Sequence, residues 1–115
     1  MNEAEARVDL AAAHRVFAIE GLNEGTRTHL SCKIAEGERY LVTPGSTHFS
    51  MIKASSLLLY SRDGEFISGN GRANHDALPI HGPIYEARPD VNCMRPGYLN
   101  GMKRLLERTQ PDFKE

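Results

Sequence analysis

The dipeptide Asp63-Gly64 stands between the apolar run Leu57-Leu-Leu-Tyr60 and Glu65-Phe66-Ile67, and is the strongest local hairpin signal in the chain. A glycine after an aspartate accepts the positive φ that lets two strands fold back on each other, so the middle of the sequence is committed to antiparallel pairing. Two more strands are predicted upstream. Leu30, Cys32 and Ile34 alternate with Ser31 and Lys33 as a half-buried strand does, Glu36-Gly37-Glu38 reads as a hairpin turn, and Tyr40–Thr43 reads as a short strand ended by Pro44.

Helical spacing brackets this sheet. From Glu3 to Glu20, Val8, Ala12, Val16 and Ile19 recur at steps of four, four and three, with Ala13 and Phe17 widening the stripe, and Gly21 supplies a left-handed terminator. His14, on this helix, is expected to be partly exposed. A second helix is predicted over Ile80–Arg88, closed by Pro89, with Pro83 in its first turn where a missing N–H does no harm. A third, Asn100–Arg108, places Met102, Leu105 and Leu106 on one face and Lys103, Arg104, Glu107 and Arg108 on the other. Met51–Ser56 reads as a short helical or irregular link, and Ser68–His75 as a surface loop.

A chain of 115 residues is long enough for one ordinary core. Fourteen basic against fifteen acidic residues leave a formal charge of −1, which gives no general attraction to phosphate backbones, so nucleic acid is not an expected partner. No apolar run approaches the roughly 20 residues that span a bilayer, and the acidic, alanine-rich start does not read as a signal peptide. No membrane insertion and a cytoplasmic location are expected. Cys32 and Cys93 match no metal spacing and are expected to be reduced, packed thiols.

The first stretch with chemical potential is Gly21–Ile34. Its two glycines, Asn23, Thr26 and Thr28 form a polar loop that leads into a strand. Successive amides and short hydroxyls there can cradle an anion; the alternative is a solvated helix-to-strand connection. His48 either faces a ligand or is an exposed loop histidine.

Certain words in the chain resemble a known family. Gly21-Leu-Asn-Glu-Gly25 followed by His29-Leu-Ser31, Pro44-Gly-Ser-Thr-His-Phe49, and Ile80-His…Ile84-Tyr-Glu-Ala-Arg-Pro-Asp-Val-Asn92 are similar to the class II aldolase/adducin family. The resemblance implies an α/β fold, a three-layer α/β/α arrangement around a mainly antiparallel sheet, here truncated. It also implies that Thr26, Arg27, Thr28, His29, Gly45 and Ser46 face a small anionic ligand. Ser46 stands where the family loop has its glycine; a positive φ at that place would strain it by about 1 kcal/mol or more.

The same resemblance implies a divalent metal, such as zinc, in full-length relatives, and its ligands are what this chain lacks. Ala77 occupies the place of the metal-binding glutamate, four residues before His81, and Pro96 and Tyr98 fall where the His-x-His pair belongs. No catalytic residue, metal ligand or cofactor is therefore assigned to this chain, and His81 is expected to be a helix-packing residue. A substitute site from His29, His48, His75 and His81 matches no metal spacing. Residues 1–93 read as the N-terminal part of the domain and 94–115 as its C-terminal helix and tail, with the middle portion that carries the metal pair missing between Cys93 and Pro96. The expectation is a non-catalytic, shortened relative, able to form homo-oligomers or hetero-oligomers with full-length paralogues. The alternatives are a metal-dependent aldolase- or decarboxylase-type lyase acting on a small hydroxy-carbonyl compound, and an adducin-like interaction module.

Overall fold

The computed structural model describes residues 2–34, 38–92 and 96–115. Cys93 and the turn expected at Glu36-Gly37 lie outside the described residues, as do the side chains of Pro96, Tyr98 and Met102. A break is also expected over Met94–Tyr98; Met94 and Arg95 lie outside the described residues, but Pro96–Tyr98 are helical and open the last helix instead.

The chain opens with helix α1, Glu3–Ile19. Asn2 caps it by accepting the Glu5 N–H at 2.8 Å, while the Glu5 carboxylate reaches back to the Asn2 N–H; this capping box satisfies donors that the first turn leaves free. At the other end Gly21 has φ +69°. The N–H of Gly21 donates to Ala18 and that of Leu22 to Phe17, the two bonds of a Schellman ending.

Four strands follow: β1 Ser31–Lys33, β2 Arg39–Val42, β3 Leu58–Ser61 and β4 Phe66–Ser68. They pair antiparallel in the order β1-β2-β3-β4. Cys32 lies opposite Leu41, and Leu41 opposite Leu59. This row faces α1 and forms a core with Ile34, Ile52 and Leu57. The alternate residues Tyr40, Val42, Leu58 and Tyr60 turn to the other face and pack with Ala77 and Tyr85. Period-two alternation thus gives the sheet two apolar faces, and a helix covers each, which is the expected α/β/α layering.

The Asp63-Gly64 turn joins β3 to β4 by a different route from a two-residue turn with both centres left-handed. Only Gly64 has a positive φ, +89°; its N–H donates to the Ser61 carbonyl, and the Ser61 N–H donates to Glu65. The longer loop brings a register shift between Leu59 and Tyr60, the bulge such turns introduce.

Helix α2 spans Leu78–Ala87, not Ile80–Arg88. Pro79 takes the place in the first turn that was expected for Pro83, and Pro83 lies inside the helix. Pro83 has no N–H to give to the Pro79 carbonyl, a defect worth about 3 kcal/mol in a helix interior. Docking on the sheet offsets it, through buried Gly82 and Tyr85. A Cβ on Gly82 would lie 2.4 Å from the Arg62 carbonyl oxygen. Gly82→Ala should therefore lower stability by about 1–3 kcal/mol in urea denaturation. An exposed helix position would gain up to about 1 kcal/mol from the same change, so the sign of the result tests the contact.

The last helix, α3, runs Pro96–Thr109 and is followed by a 3-10 turn at Pro111–Lys114. Leu106 and Phe113 are fully buried in the α1 core. Arg15, only 3% exposed, donates to the Ile52 carbonyl at 2.8 Å, to the Gln110 side chain at 2.8 Å and to Asp112 at 2.9 Å. These contacts explain two departures from the sequence reading. With the sheet on one side and the tail on the other, α1 is buried all round from Leu10 to Val16, whereas Ile19, on the expected stripe, is 48% exposed. His14 is fully buried, not partly exposed. Cys32 is also not the reduced thiol expected: it is buried and disulfide-bonded.

Candidate functional site

Three polar loops meet at one end of the sheet. In the loop after α1, the Arg27 N–H donates to the Glu24 carbonyl at 3.0 Å, and Thr28 Oγ1 accepts the Glu24 N–H at 2.8 Å. In the loop after β2, the Gly45 N–H donates to the Arg72 carbonyl at 2.8 Å, and Pro44 forms a bridge with Ala73. Asn74 ties the third loop to the first through its Nδ2, which donates to the Thr26 carbonyl at 3.2 Å. A Cβ at position 45 would sit 2.8 Å from Asn74 Oδ1 and 3.0 Å from the Arg72 carbonyl. Close approach of the third loop, not φ, is what requires glycine there. Ser46 has no positive φ, so the strain expected at that residue is absent.

The structure thus brings Thr26, Arg27, Thr28, Gly45 and Ser46 into neighbouring loops, but the bonds between the loops already use several of the donors an anion would need. The side chains of Thr26, Arg27 and Ser46 remain exposed. His48 is exposed, bonded to Asn23 through Nε2 at 3.1 Å and to Ser50 through Nδ1 at 2.8 Å. His75 is 96% exposed beside Asp76.

His29 takes a different place from the rest of the predicted set. Its Nδ1 lies 2.7 Å from Nε2 of His81 on α2. His81 Nδ1 is 2.6 Å from Ser31 Oγ, which is 2.7 Å from the Tyr85 hydroxyl. Four side chains from the β1 approach, β1 and α2 form one hydrogen-bonded chain. Burial, and then the neighbouring His29, lower the pKa of His81 to about 4, so the His81 imidazole is neutral at pH 7 and has one N–H to place in the chain. The chain can be ordered from Tyr85 toward His29 or in reverse, because each hydroxyl both donates and accepts. Burial raises the Tyr85 pKa, with the Ser31 bond acting in the opposite direction.

Sequence reading placed His29 toward a ligand and took His81 as packing; it did not single out Ser31 or Tyr85. A signal was available. His29 and Ser31 are two apart on an extended segment, and His81 and Tyr85 are four apart on a helix, so each pair shares a face.

Ala77 immediately precedes α2, is fully buried, and packs with Tyr40, Val42, Leu58, Tyr60 and Tyr85. The position where the resemblance implies a metal-binding carboxylate is a methyl group in an apolar nook.

Residues 8–94 match the class II aldolase and adducin N-terminal domain. The chain belongs to that family. An adducin-related protein of Schizosaccharomyces pombe is 35% identical over 104 residues, covering 81% of this chain and 31% of that protein. Among solved structures, an aldolase II superfamily protein from Pseudomonas syringae superposes with a TM-score of 0.75 at 31% identity, covering 79% of this chain and 38% of that one. An L-fuculose 1-phosphate aldolase from Glaciozyma antarctica PI12 superposes with a TM-score of 0.72, also at 31% identity, over 78% of this chain and 38% of its own. The chain thus spans about a third of these class II aldolase/adducin relatives.

The described residues do not fit the divalent metal that the resemblance implies. Alanine offers no donor at 77, and among the described residues no three histidine, cysteine, aspartate or glutamate side chains converge. Of the four histidines considered for a substitute site, only His29 and His81 meet. No helix among the described residues is long and apolar enough to cross a membrane.

Proposed function

We propose that this chain is a non-catalytic, shortened class II aldolase/adducin-like protein. The observation that carries this reading is the buried methyl of Ala77 at the start of α2. A retro-aldol or decarboxylation step needs a Lewis acid to polarise the carbonyl and hold the developing enediolate, and this position cannot help to bind one. In this reading residues 1–93 supply the N-terminal part of the family domain and 94–115 its closing helix and tail. The protein works in the cytoplasm by association with further copies or with longer family members. Thr26, Arg27 and Ser46 retain a weak site for a small anionic ligand, framed by Thr28 and Gly45, while His29 is held by His81.

A metal-dependent lyase is the competing activity, and an adducin-like interaction module differs from the favoured reading only in the partner. The test is turnover. Purified protein supplied with zinc or manganese and L-fuculose 1-phosphate, or other small hydroxy-carbonyl phosphates, is expected to release no aldehyde above the buffer rate. Turnover that a chelator abolishes and added metal restores would overturn the proposal.

A further inference from the structure

At the opposite end of the β1–β2 pair from the polar loops lies a small cavity lined by Lys33, Glu38, Arg39, Tyr40, Arg62 and Tyr85. Two of its lining groups are buried polar atoms without a hydrogen-bond partner among the described residues, the Tyr40 hydroxyl and Arg62 Nε. Tyr40 is 1% exposed, wedged between Tyr60, His81 and Tyr85. Glu38 and Lys33 in the lining are already engaged. Arg62 Nη2 donates to the Glu38 carboxylate at 2.8 Å, and the Lys33 ammonium donates to the Pro89 carbonyl and lies near Asp90.

Buried donors left unpaired are costly, and native structures seldom keep two in one place. The geometry points to a binding site for a single small anion of the halide class, held by the Tyr40 O–H and the Arg62 Nε–H. Arg Nε–H can only donate, so the occupant must accept. Among the described residues three cations, Lys33, Arg39 and Arg62, line the cavity against one carboxylate, Glu38, and this excess favours a negative occupant. Size restricts it further: the centre of a water-sized sphere has only about 10 Å³ to move in, room for one small occupant. Phosphate, sulfate and sugar phosphates are excluded. The site is separate from the three polar loops; it adjoins the His29–His81 chain, whose Tyr85 is part of its lining.

Such an occupant stabilises the folded chain by mass action. Thermal unfolding in sodium chloride and in sodium gluconate, whose anion is too large for the cavity, at the same concentration should differ, with chloride giving a midpoint higher by about 3–5 °C. Tyr40→Phe removes one orphaned donor and should reverse the ranking. Without halide the variant should melt at or above the wild type; in chloride it should melt below it. Equal midpoints in the two salts, or a chloride increment kept in the variant, would overturn the proposal. If Tyr40→Phe does not fold, wild-type crystals soaked in bromide decide. An anomalous peak between Tyr40 and Arg62 supports the site, and a water without anomalous signal at that position refutes it.

Discussion

Phe113→Ala should lower the folding free energy by about 4 kcal/mol, within the 3–5 kcal/mol range for emptying a buried phenylalanine site. Phe113 is fully buried in the core that holds Leu10, Val16, Leu41 and Leu59, although the family match ends at residue 94. The tail is therefore part of the fold's first core. Arg15, which binds Gln110 and Asp112, fixes the final turn over that core. A small domain carries a net stability of only about 5–15 kcal/mol, so this one truncation should bring the urea midpoint down sharply. A loss below about 1 kcal/mol would mean that the tail does not pack as described.

The second large effect is expected from acid. His14 is fully buried; its Nδ1–H donates to the Leu10 carbonyl at 2.7 Å, and Nε2 accepts from Thr43 Oγ1 at 2.6 Å. Burial lowers its pKa to about 4, against a smaller opposing effect of the Leu10 bond. The unfolded chain then binds a proton near pH 6.5 that the folded chain refuses until about pH 4. The contribution of the neutral ring is fully present above pH 6.5 and is lost as the pH falls toward 4, a change of roughly 3 kcal/mol from this residue. His81 acts in the same direction over the same interval, with a smaller effect because its ring is partly solvated. The carboxylates held low by arginine, Asp90 and Asp112, lose their contribution at lower pH and leave this window to the histidines. Urea unfolding at pH 7.5, 6, 5 and 4.5 should give a steadily falling stability, and His14→Gln should flatten most of the slope. An unchanged slope in the variant would refute the assignment.

The elements themselves were legible in the sequence because their signals are local. Alternation at Leu30, Cys32 and Ile34, the Asp63-Gly64 turn, and the spacing along Glu3–Glu20 each act within a few residues. What was not legible depended on contacts far apart in the chain. The burial of His14 follows from Thr43 and Phe49, and that of Arg15 from a tail about a hundred residues downstream, so helical periodicity alone put Ile19 inside and left His14 partly outside. Pro79 and Pro83 are both acceptable near a helix start, and only the docking of Gly82 on Arg62 shows which begins it. For the site, the resemblance named the loops that meet at Gly45 and Asn74, but it could not foresee that their donors satisfy one another. Spacing puts His29 with Ser31 and His81 with Tyr85, each pair on one face, but it does not show that the two pairs meet, since a contact made across two elements leaves no mark in spacing.

The proposal that this chain does not hold the divalent metal its family resemblance implies is tested most directly by metal content. Elemental analysis of the protein after equilibration with zinc and removal of loosely held ions should find far less than one zinc per chain, because tight zinc sites need three or four protein donors. One zinc per chain, retained through dialysis and lost when His29 and His81 are both replaced, would contradict the account.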